Sequence, residues 1–425
     1  MEERSPWLVY ANFVSDMALC LEAGGVLERW ATQAPRKVWL LQAGDVLLTP
    51  VPVSREFRTY ALGLLGVPDA SVSVVHVPGR RGMAMADTLR DDGLLETVRG
   101  LVADREGMVL LTHRPGRVHH RPRRGPGDFG ERVYLGGGGR RRARRGPRLN
   151  TKVGFRQVAA ELGIRVPRGL ACRRSELPDA VRAHLAAQGR AVIKPDRSAG
   201  GHGMMFVSPD DPWWLRLDQE GLGGAEGAWV VEDWLDVAHS VSVQMNTGPW
   251  GADPVFSGEM RTVRPVFSGY LSPLTGDTAG VGTELEQWGR SLGTYLAERG
   301  YAGPFSIDAV ITQDGSLVAT ESNIRRTATT TPQVMTARLA RSAGLSGPPA
   351  WLLGQRKAAV VYDFGAAVDR LDAAGIGWTR ARQEGVVLYA DTPHDGLSWR
   401  YAIIGARRQR LLELEAALSE VMGFG

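Results

Sequence analysis

Short apolar runs alternate with longer stretches of mixed polarity through the first part of the chain. Trp7–Asn12, Lys37–Gln42, Val72–Val77 and Met108–Thr112 predict buried strands, with helices between them. Such alternation indicates a small α/β domain with a parallel sheet. Thr151–Leu162 then carries helical spacing, with Asn150 as its N-cap and Gly163 as its stop. Leu177–Gln188 predicts a second helix, ahead of the apolar run Ala191-Val192-Ile193. Gly344-Leu345-Ser346-Gly347-Pro348-Pro349 marks a linker. Beyond it, strands are predicted over Ala358–Tyr362, Gly385–Tyr389 and Tyr401–Ile404, with a helix near Ala366–Ala374. A closing helix runs from Arg407 to Met422, and Leu411, Leu412, Leu414, Ala417 and Leu418 turn it into a core rather than towards a partner.

The pattern near residue 310 carries chemistry. Phe305–Thr312 and Ser316–Glu321 read as two strands joined through Gln313-Asp314-Gly315, and Asp-Gly is a strong hairpin signal. With Asp314-Gly315 as a two-residue loop, Asp308 falls opposite Glu321, and Asn323 projects from the same face two residues on. Like charges directly opposed destabilise a sheet unless something bridges them. Two carboxylates and an amide oxygen suit Mg²⁺, which keeps water and phosphate as its other ligands. A solvated edge with tolerated repulsion is the bland alternative, and the apolar neighbours and the following Ile324-Arg325-Arg326 argue against it.

Four lysines stand against 47 arginines, so a Lys that remains tends to sit where a compact charge works and a planar fork does not. Lys37 and Lys357 lack motif context and read as chance. Lys152 and Lys194 do not. Lys194 ends an apolar run, and Pro195 stops that strand. Asp196-Arg197-Ser198-Ala199-Gly200-Gly201-His202-Gly203-Met204 leads to a second run, Met205-Phe206-Val207. A glycine turn between strands lets backbone N–H groups approach an anion. A plain hairpin explains the glycines alone; Lys194 just upstream favours a phosphate flap. No Gly-Lys-Ser/Thr opens a helix, so this is not a Walker loop.

Length and 43% apolar content fit a soluble enzyme of two or three domains. Cys20 and Cys172 cannot form a disulfide framework, and a reducing cytoplasm is the expected setting. No signal-peptide pattern and no apolar run long enough to span a bilayer is evident. The net charge of +5 conceals an asymmetry: residues 114–148 hold 12 arginines against Asp128 and Glu131, so the rest of the chain sums to −5. That segment reads first as a stretch translated in a shifted frame, then as a solvated loop, and last as a nucleic-acid arm. Phe129 and Tyr134 are its only aromatics, too few for a base-stacking platform.

Taken in order, Lys152, Lys194-Pro195, Ser198–Met204, Glu232-Asp233-Trp234-Leu235, Asp308 and Glu321-Ser322-Asn323-Ile324-Arg325 resemble the ATP-grasp carboxylate–amine ligases over about residues 149–335. Within them, the chain is most similar to the actinobacterial peptide ligase of pheganomycin biosynthesis. The resemblance implies an ATP-grasp fold, α/β overall and α+β in its ATP-binding part. It would comprise an N-terminal α/β domain (1–149, including the basic segment), an ATP-grasp domain (150–342) and a small C-terminal α+β domain (343–425). It implies ATP and Mg²⁺, or Mn²⁺ in its place, as cofactors. Lys152 and Lys194 would contact phosphates and the adenine edge, and Ser198, Gly200, Gly201, Gly203 and Met204 would form the flap. Glu232, Asp233, Trp234 and Leu235 would form the adenine hinge, with Glu232 taking the exocyclic amine. Asp308, Glu321 and Asn323 would hold metal, and Arg325 would reach the transferring phosphate.

Two departures stand out. His239, with Asp236 nearby, occupies the region where many relatives carry an acidic ribose ligand. Ser306 stands where many carry an Arg, leaving Arg261 or Arg326 to supply that charge beside Lys194 and Arg325. The implied reaction passes a carboxylate through an acylphosphate to an amine, with small molecules or peptides as partners and homo-oligomerisation open. A small-amino-acid ligase of the same fold, a non-catalytic ATP-binding regulatory module and a nucleic-acid-binding protein are the competing readings.

Overall fold

In a computed structural model, the structure describes residues 5–11, 31–79, 85–103, 105, 108–112, 149–198, 201, 203–215, 227–248, 251–263 and 266–425. The basic segment 114–148 and Cys20 lie outside them. The N-terminal part contains β1 (Trp7–Tyr10), β2 (Val46–Thr49), α1 (Arg55–Leu65), β3 (Ser73–His76), α2 (Met85–Asp91), α3 (Leu94–Val102) and β4 (Val109–Thr112). Its strands form a parallel sheet in the order β3-β2-β1-β4. The strand expected over Lys37–Gln42 is instead a 3-10 helix, Pro35–Leu40, and the strand follows at β2. Pro35 at its first position pre-sets a helical φ. An apolar run this short, buried on all sides, does not reveal its period.

Next come α4 (Lys152–Glu161), β5 (Gly169–Arg173), α5 (Leu177–Gln188), β6 (Ala191–Pro195), β7 (Met205–Val207) and β8 (Ala228–Asp233). The four strands form a separate antiparallel sheet, β5-β8-β6-β7. The cap of α4 is Thr151, whose Oγ1 accepts from the Gly154 N–H at 3.0 Å, and not Asn150, which is used elsewhere.

The largest sheet collects β9 (Val237–Gly248), β10 (Gly251–Val263), β11 (Val266–Ser272), α6 (Gly282–Glu298) on one face, β12 (Gly303–Thr312), β13 (Leu317–Asn323), α7 (Thr330–Ser342), β14 (Ala350–Lys357), α8 (Phe364–Ala373), β15 (Gly385–Leu388), β16 (Ser398–Gly405) and α9 (Arg408–Met422). Its order is β13-β12-β9-β10-β11-β14-β16-β15, antiparallel throughout. A strand was expected over Ala358–Tyr362, but the chain pairs earlier, at β14, and Val360 and Val361 are exposed. One hydrophobic core joins β1, β2, the 3-10 helix and α1 to α7, β14, β16 and α9, so the boundary expected near residue 343 falls inside packed structure. Among the described residues, no helix is long and apolar enough to cross a membrane.

Facing residues in an antiparallel sheet share a face, and successive residues alternate. Ser242, Asp308 and Glu321 therefore lie in one row, and Gln244, Ser306 and Asn323 in the next, all on one face. Val241, Val243, Met245, Phe305, Ile307 and Ala309 take the other face and pack against Leu285, Trp288 and Leu292 of α6.

A third row crosses Arg261, Gly269, Gly354 and Tyr401 on that second face. A side chain at Gly354 would overlap the Tyr401 ring, so the glycine lets Tyr401 lie across the sheet and donate to Glu415 of α9 at 2.8 Å. Gly354→Val should cost about 1–3 kcal/mol, as overpacking does. A urea midpoint unchanged from wild type would contradict this packing account.

Candidate active site

The chemistry collects on the first face of the large sheet. The hairpin loop between β12 and β13 is longer than the two residues expected: Thr312 N–H donates to Ser316 O at 3.0 Å, enclosing Gln313-Asp314-Gly315, with Gly315 at φ +82. That change alone would slip the facing pairs. An irregularity at Thr320 restores them, since Ala309 faces Ala319 while Asp308 still faces Glu321. The bulge is fastened by Thr320 Oγ1, which donates to Asp308 O at 3.1 Å.

Around the pair, Asn323 Nδ2 donates to Asp308 Oδ2 at 3.0 Å, and Ser306 Oγ donates to Oδ1 at 3.4 Å. Lys152, at the first position of α4, stands 3.6 Å from Glu321 Oε2 and donates to Ser198 Oγ at 2.8 Å. Burial and the facing Glu321 push the Asp308 carboxyl up to about 8, against the pull of Arg325. Burial also acts on Glu321, but Lys152 and Arg325 outweigh it and hold that carboxyl below its ordinary value. Burial pushes the Lys152 ammonium down, and Glu321 opposes the shift. One proton-hungry carboxyl beside one ionised carboxylate is the signature of a site short of positive charge. Asp308, Glu321 and Asn323 offer oxygen donors only and fit a hard cation such as Mg²⁺. Among the described residues, no cluster of three or more His, Cys, Asp or Glu side chains competes with them.

Asn150 is the residue that sequence reasoning undervalued. Its Oδ1 accepts from Ile324 N at 2.8 Å and from Arg325 at 2.9 Å, tying the end of β13 to the start of α4. Asp196 has a matching role in the second sheet. Its carboxylate accepts from Val153 N at 2.8 Å, and its carbonyl accepts from Lys152 N at 3.2 Å. The only signal for either was adjacency to a rare lysine motif.

Lys194 is buried on β6 and pairs with Glu232 of β8, whose other oxygen accepts from Arg156 at 3.1 Å. With its carboxylate held by two cations, the Glu232 side chain is not free for an adenine amine. β8 ends at Asp233, and Trp234 and Leu235 follow it. Asp233 is held by Arg168 at 2.9 Å and His184 at 3.3 Å, and Trp234 packs edge-on against Phe206. A cavity of about 420 Å³ lies along this hinge, lined by Asp233, Trp234, Leu235 and Asp314 among others; the carboxylate pair does not line it. In the glycine turn after β6, Gly201 and Gly203 have φ +80 and +73, and Met204 N–H donates to Gly201 O at 3.2 Å. Gly200 lies outside the described residues.

Two expected residues are not brought to this face. Arg261 lies on the opposite face and donates to Glu415 Oε1 at 2.6 Å. His239 shares that opposite face and contacts Glu259 at 3.0 Å, which Arg408 of α9 also holds. Neither the missing Arg nor the ribose ligand is supplied there. Arg326, the other candidate, acts on Tyr301 and Lys37, while Arg325 acts on Asp308 and Glu321.

A model of the pre-ATP-grasp domain matches residues 34–121, and one of the PGM1 C-terminal domain matches 366–418. Among solved structures, N5-carboxyaminoimidazole ribonucleotide synthetase from Thermus thermophilus superposes at TM-score 0.57 with 12% identity, over 98% of each chain. The fold is ATP-grasp. Biotin carboxylase from Campylobacter jejuni gives TM-score 0.58 at 11% identity, covering 99% of this chain and 92% of that one. The biotin carboxylase domain of 2-oxoglutarate carboxylase from Hydrogenobacter thermophilus gives 0.58 at 12% identity, covering 100% and 91%. No curated protein matches the chain. In ATP-grasp terms, β5–β8 form one of the fold's two antiparallel sheets and the β9, β12, β13 end of the large sheet belongs to the other.

Asp308 binds its proton more tightly in the folded state than in the unfolded one, where a carboxyl titrates near ~4. Its contribution thus favours folding at low pH and is withdrawn as pH rises towards about 8. In chelator, Asp308→Asn should therefore unfold at a higher temperature than wild type at pH 8, with the gap closing near pH 4. A variant less stable than wild type at pH 8 would contradict the repulsion described here.

Proposed function

We propose that the protein is an ATP-dependent, ADP-forming ligase that joins a carboxylate to an amine, making a peptide bond in natural-product biosynthesis. The observation that carries the reading is the half-buried Asp308–Glu321 pair with Asn323, flanked by Lys152 and Arg325 and placed on an ATP-grasp fold. The Hydrogenobacter domain, solved with MgADP, ADP and bicarbonate, supports it as a case of similar architecture holding such ligands in another protein. The peptide product, the likeness to the pheganomycin ligase and the division 1–149, 150–342, 343–425 rest on the sequence as a whole, and a cytoplasmic setting rests on its two cysteines.

In this reading, Asp308, Glu321 and Asn323 hold Mg²⁺, which when bound offsets charge on the transferring phosphate. A substrate carboxylate oxygen forms a bond to the γ-phosphorus as the bond to the ADP oxygen breaks. Arg325, Lys152 and Lys194 lower the repulsion between the two anions. The amine nitrogen then attacks the acyl carbon, phosphate leaves with the bonding pair, and the amine loses a proton. The turn from Ser198 to Met204 excludes water from the acylphosphate. Ser198 reports on Lys152 through its 2.8 Å contact, so closure of the turn and placement of that lysine are linked.

Screening ADP release against amino acid and peptide pairs tests the reading. Release should need both a carboxylate and an amine, and should need Mg²⁺ or Mn²⁺. Glu321→Gln should lose at least about 10²-fold in kcat, as loss of a charge-stabilising group does. Full activity in excess chelator would remove the site assignment. Lys194→Arg should be nearly as damaging as Lys194→Met, because a planar fork cannot take a point-charge position. Near wild-type kinetics for the Arg variant would sink that assignment.

A further inference from the structure

One step along the sheet from the carboxylate pair, a polar side chain stands in the active face with half of its bonding capacity unspent. Gln244 of β9 faces Ser306, which faces Asn323, and Phe256 faces Gln244 from β10. Phe256 packs edge-on against Tyr270 and Trp351, so Gln244 is the last polar group of its row before an aromatic wall. It is 6% exposed. Its Oε1 accepts from Thr327 Oγ1 at 2.9 Å, and Thr327 Oγ1 lies 2.9 Å from Thr329 Oγ1. The loop that carries Arg325 is therefore held by β13 at one end and by Gln244 at the other.

With its oxygen taken, the amide is fixed in orientation. Its nitrogen makes no hydrogen bond to a described residue and, unlike Trp229 Nε1, is not sealed from solvent. The flanking Ser242 and Ser306 hydroxyls are already engaged, with Tyr270 and Asp308. Arg261 is the single arginine of β9, β10 and β12, and it bonds to Glu415 on the other face. A nearly covered amide with unpaired N–H groups costs free energy until a ligand completes it.

The direction of β9 indicates which ligand. Val237, its first residue, faces Thr312 close to the segment after β8, where Gln313 N donates to Asp236 O at 2.9 Å. Ser242 faces Asp308 at the level of the metal-binding oxygens, and Gln244 lies two residues further on, about 7 Å along the strand. A nucleotide with its base at the segment after β8 and its metal at Asp308 and Glu321 brings its terminal phosphate to that level. We propose that the Gln244 amide nitrogen donates to an oxygen of the transferring γ-phosphoryl group. The inference deepens the ligase reading and rests on it, adding a neutral donor to Arg325, Lys152 and Lys194. A neutral donor needs no counter-ion while the cleft is empty, whereas Lys152 and Lys194 each rest on a glutamate.

The test is calorimetry on the full chain with MgADP and with the non-hydrolysable imido analogue of MgATP, so no acyl substrate is needed. The quantity read is the ratio of the two dissociation constants, which isolates contacts to the γ-phosphoryl group. Gln244→Met removes the amide at similar size and should shift that ratio about tenfold against the analogue, the scale of one charge-assisted hydrogen bond, with MgADP affinity unchanged. Thr327→Val removes the anchor alone and should shift the ratio by less than about threefold. If the Met variant fails to fold, Gln244→Glu keeps the acceptor for Thr327, removes both amide donors and should show at least the same loss. A wild-type ratio in the Gln244 variant that folds would overturn the assignment. An equal loss in Thr327→Val would also overturn it, leaving Gln244 as a loop anchor. Failure of the wild-type chain to bind either nucleotide would sink the ligase reading and this contact with it.

Discussion

Two carboxylates held face to face across β12 and β13 are the constraint around which this molecule is arranged. Left alone, they would force β12 and β13 apart or shift their register. The fold prevents both. A bulge at Thr320 locks the register locally, and the Asn150 amide fastens the end of β13 to the helix that carries Lys152. The repulsion is thereby kept as an unmet demand for positive charge, lodged in one carboxyl that holds its proton far above the ordinary range. Strain of this kind persists only where surrounding structure over-determines it, which is where ligand chemistry is expected.

The other wall of the cleft is balanced in the opposite sense. There the buried Glu232 pairs with both Lys194 and Arg156, so that lobe presents cations already in place. Asp196 and Lys152 link the two lobes, since α4 caps onto the turn that follows β6 while its lysine reaches Glu321. A nucleotide triphosphate bridging the lobes would meet cations from one side and metal-binding oxygens from the other. The C-terminal helix contributes from behind the sheet: Glu415 holds Arg261, and Arg408 holds Glu259, fixing β10 without entering the cleft.

Much of the site was legible because its parts are local in sequence. Asp308 opposite Glu321, the glycine turn after Lys194 and the hinge at Glu232 each follow from a few consecutive residues. The facing of Asp308 was right although the loop length behind it was not, since the added loop residue and the bulge compensate. His239 and Arg261 were misplaced for a different reason. Which face a strand residue takes depends on the phase of β9 and β10 across the whole sheet, and a change of one residue reverses it. Lys37 was dismissed because its setting is entirely tertiary: nothing near it in sequence predicts that Thr331 will stand beside it. The same holds for the Pro35–Leu40 helix, whose apolar run is buried all round and so carries no period to read.

The central claim is that this cleft makes an acylphosphate. Once a donor and acceptor that release ADP are in hand, the donor carboxylate can be labelled with heavy oxygen and the released phosphate analysed by mass spectrometry. Attack of the carboxylate on the γ-phosphorus, followed by attack of the amine on the acyl carbon, predicts one labelled oxygen in the phosphate for each amide formed. Unlabelled phosphate, with the departing heavy oxygen found in water or in a nucleotide monophosphate, would contradict it.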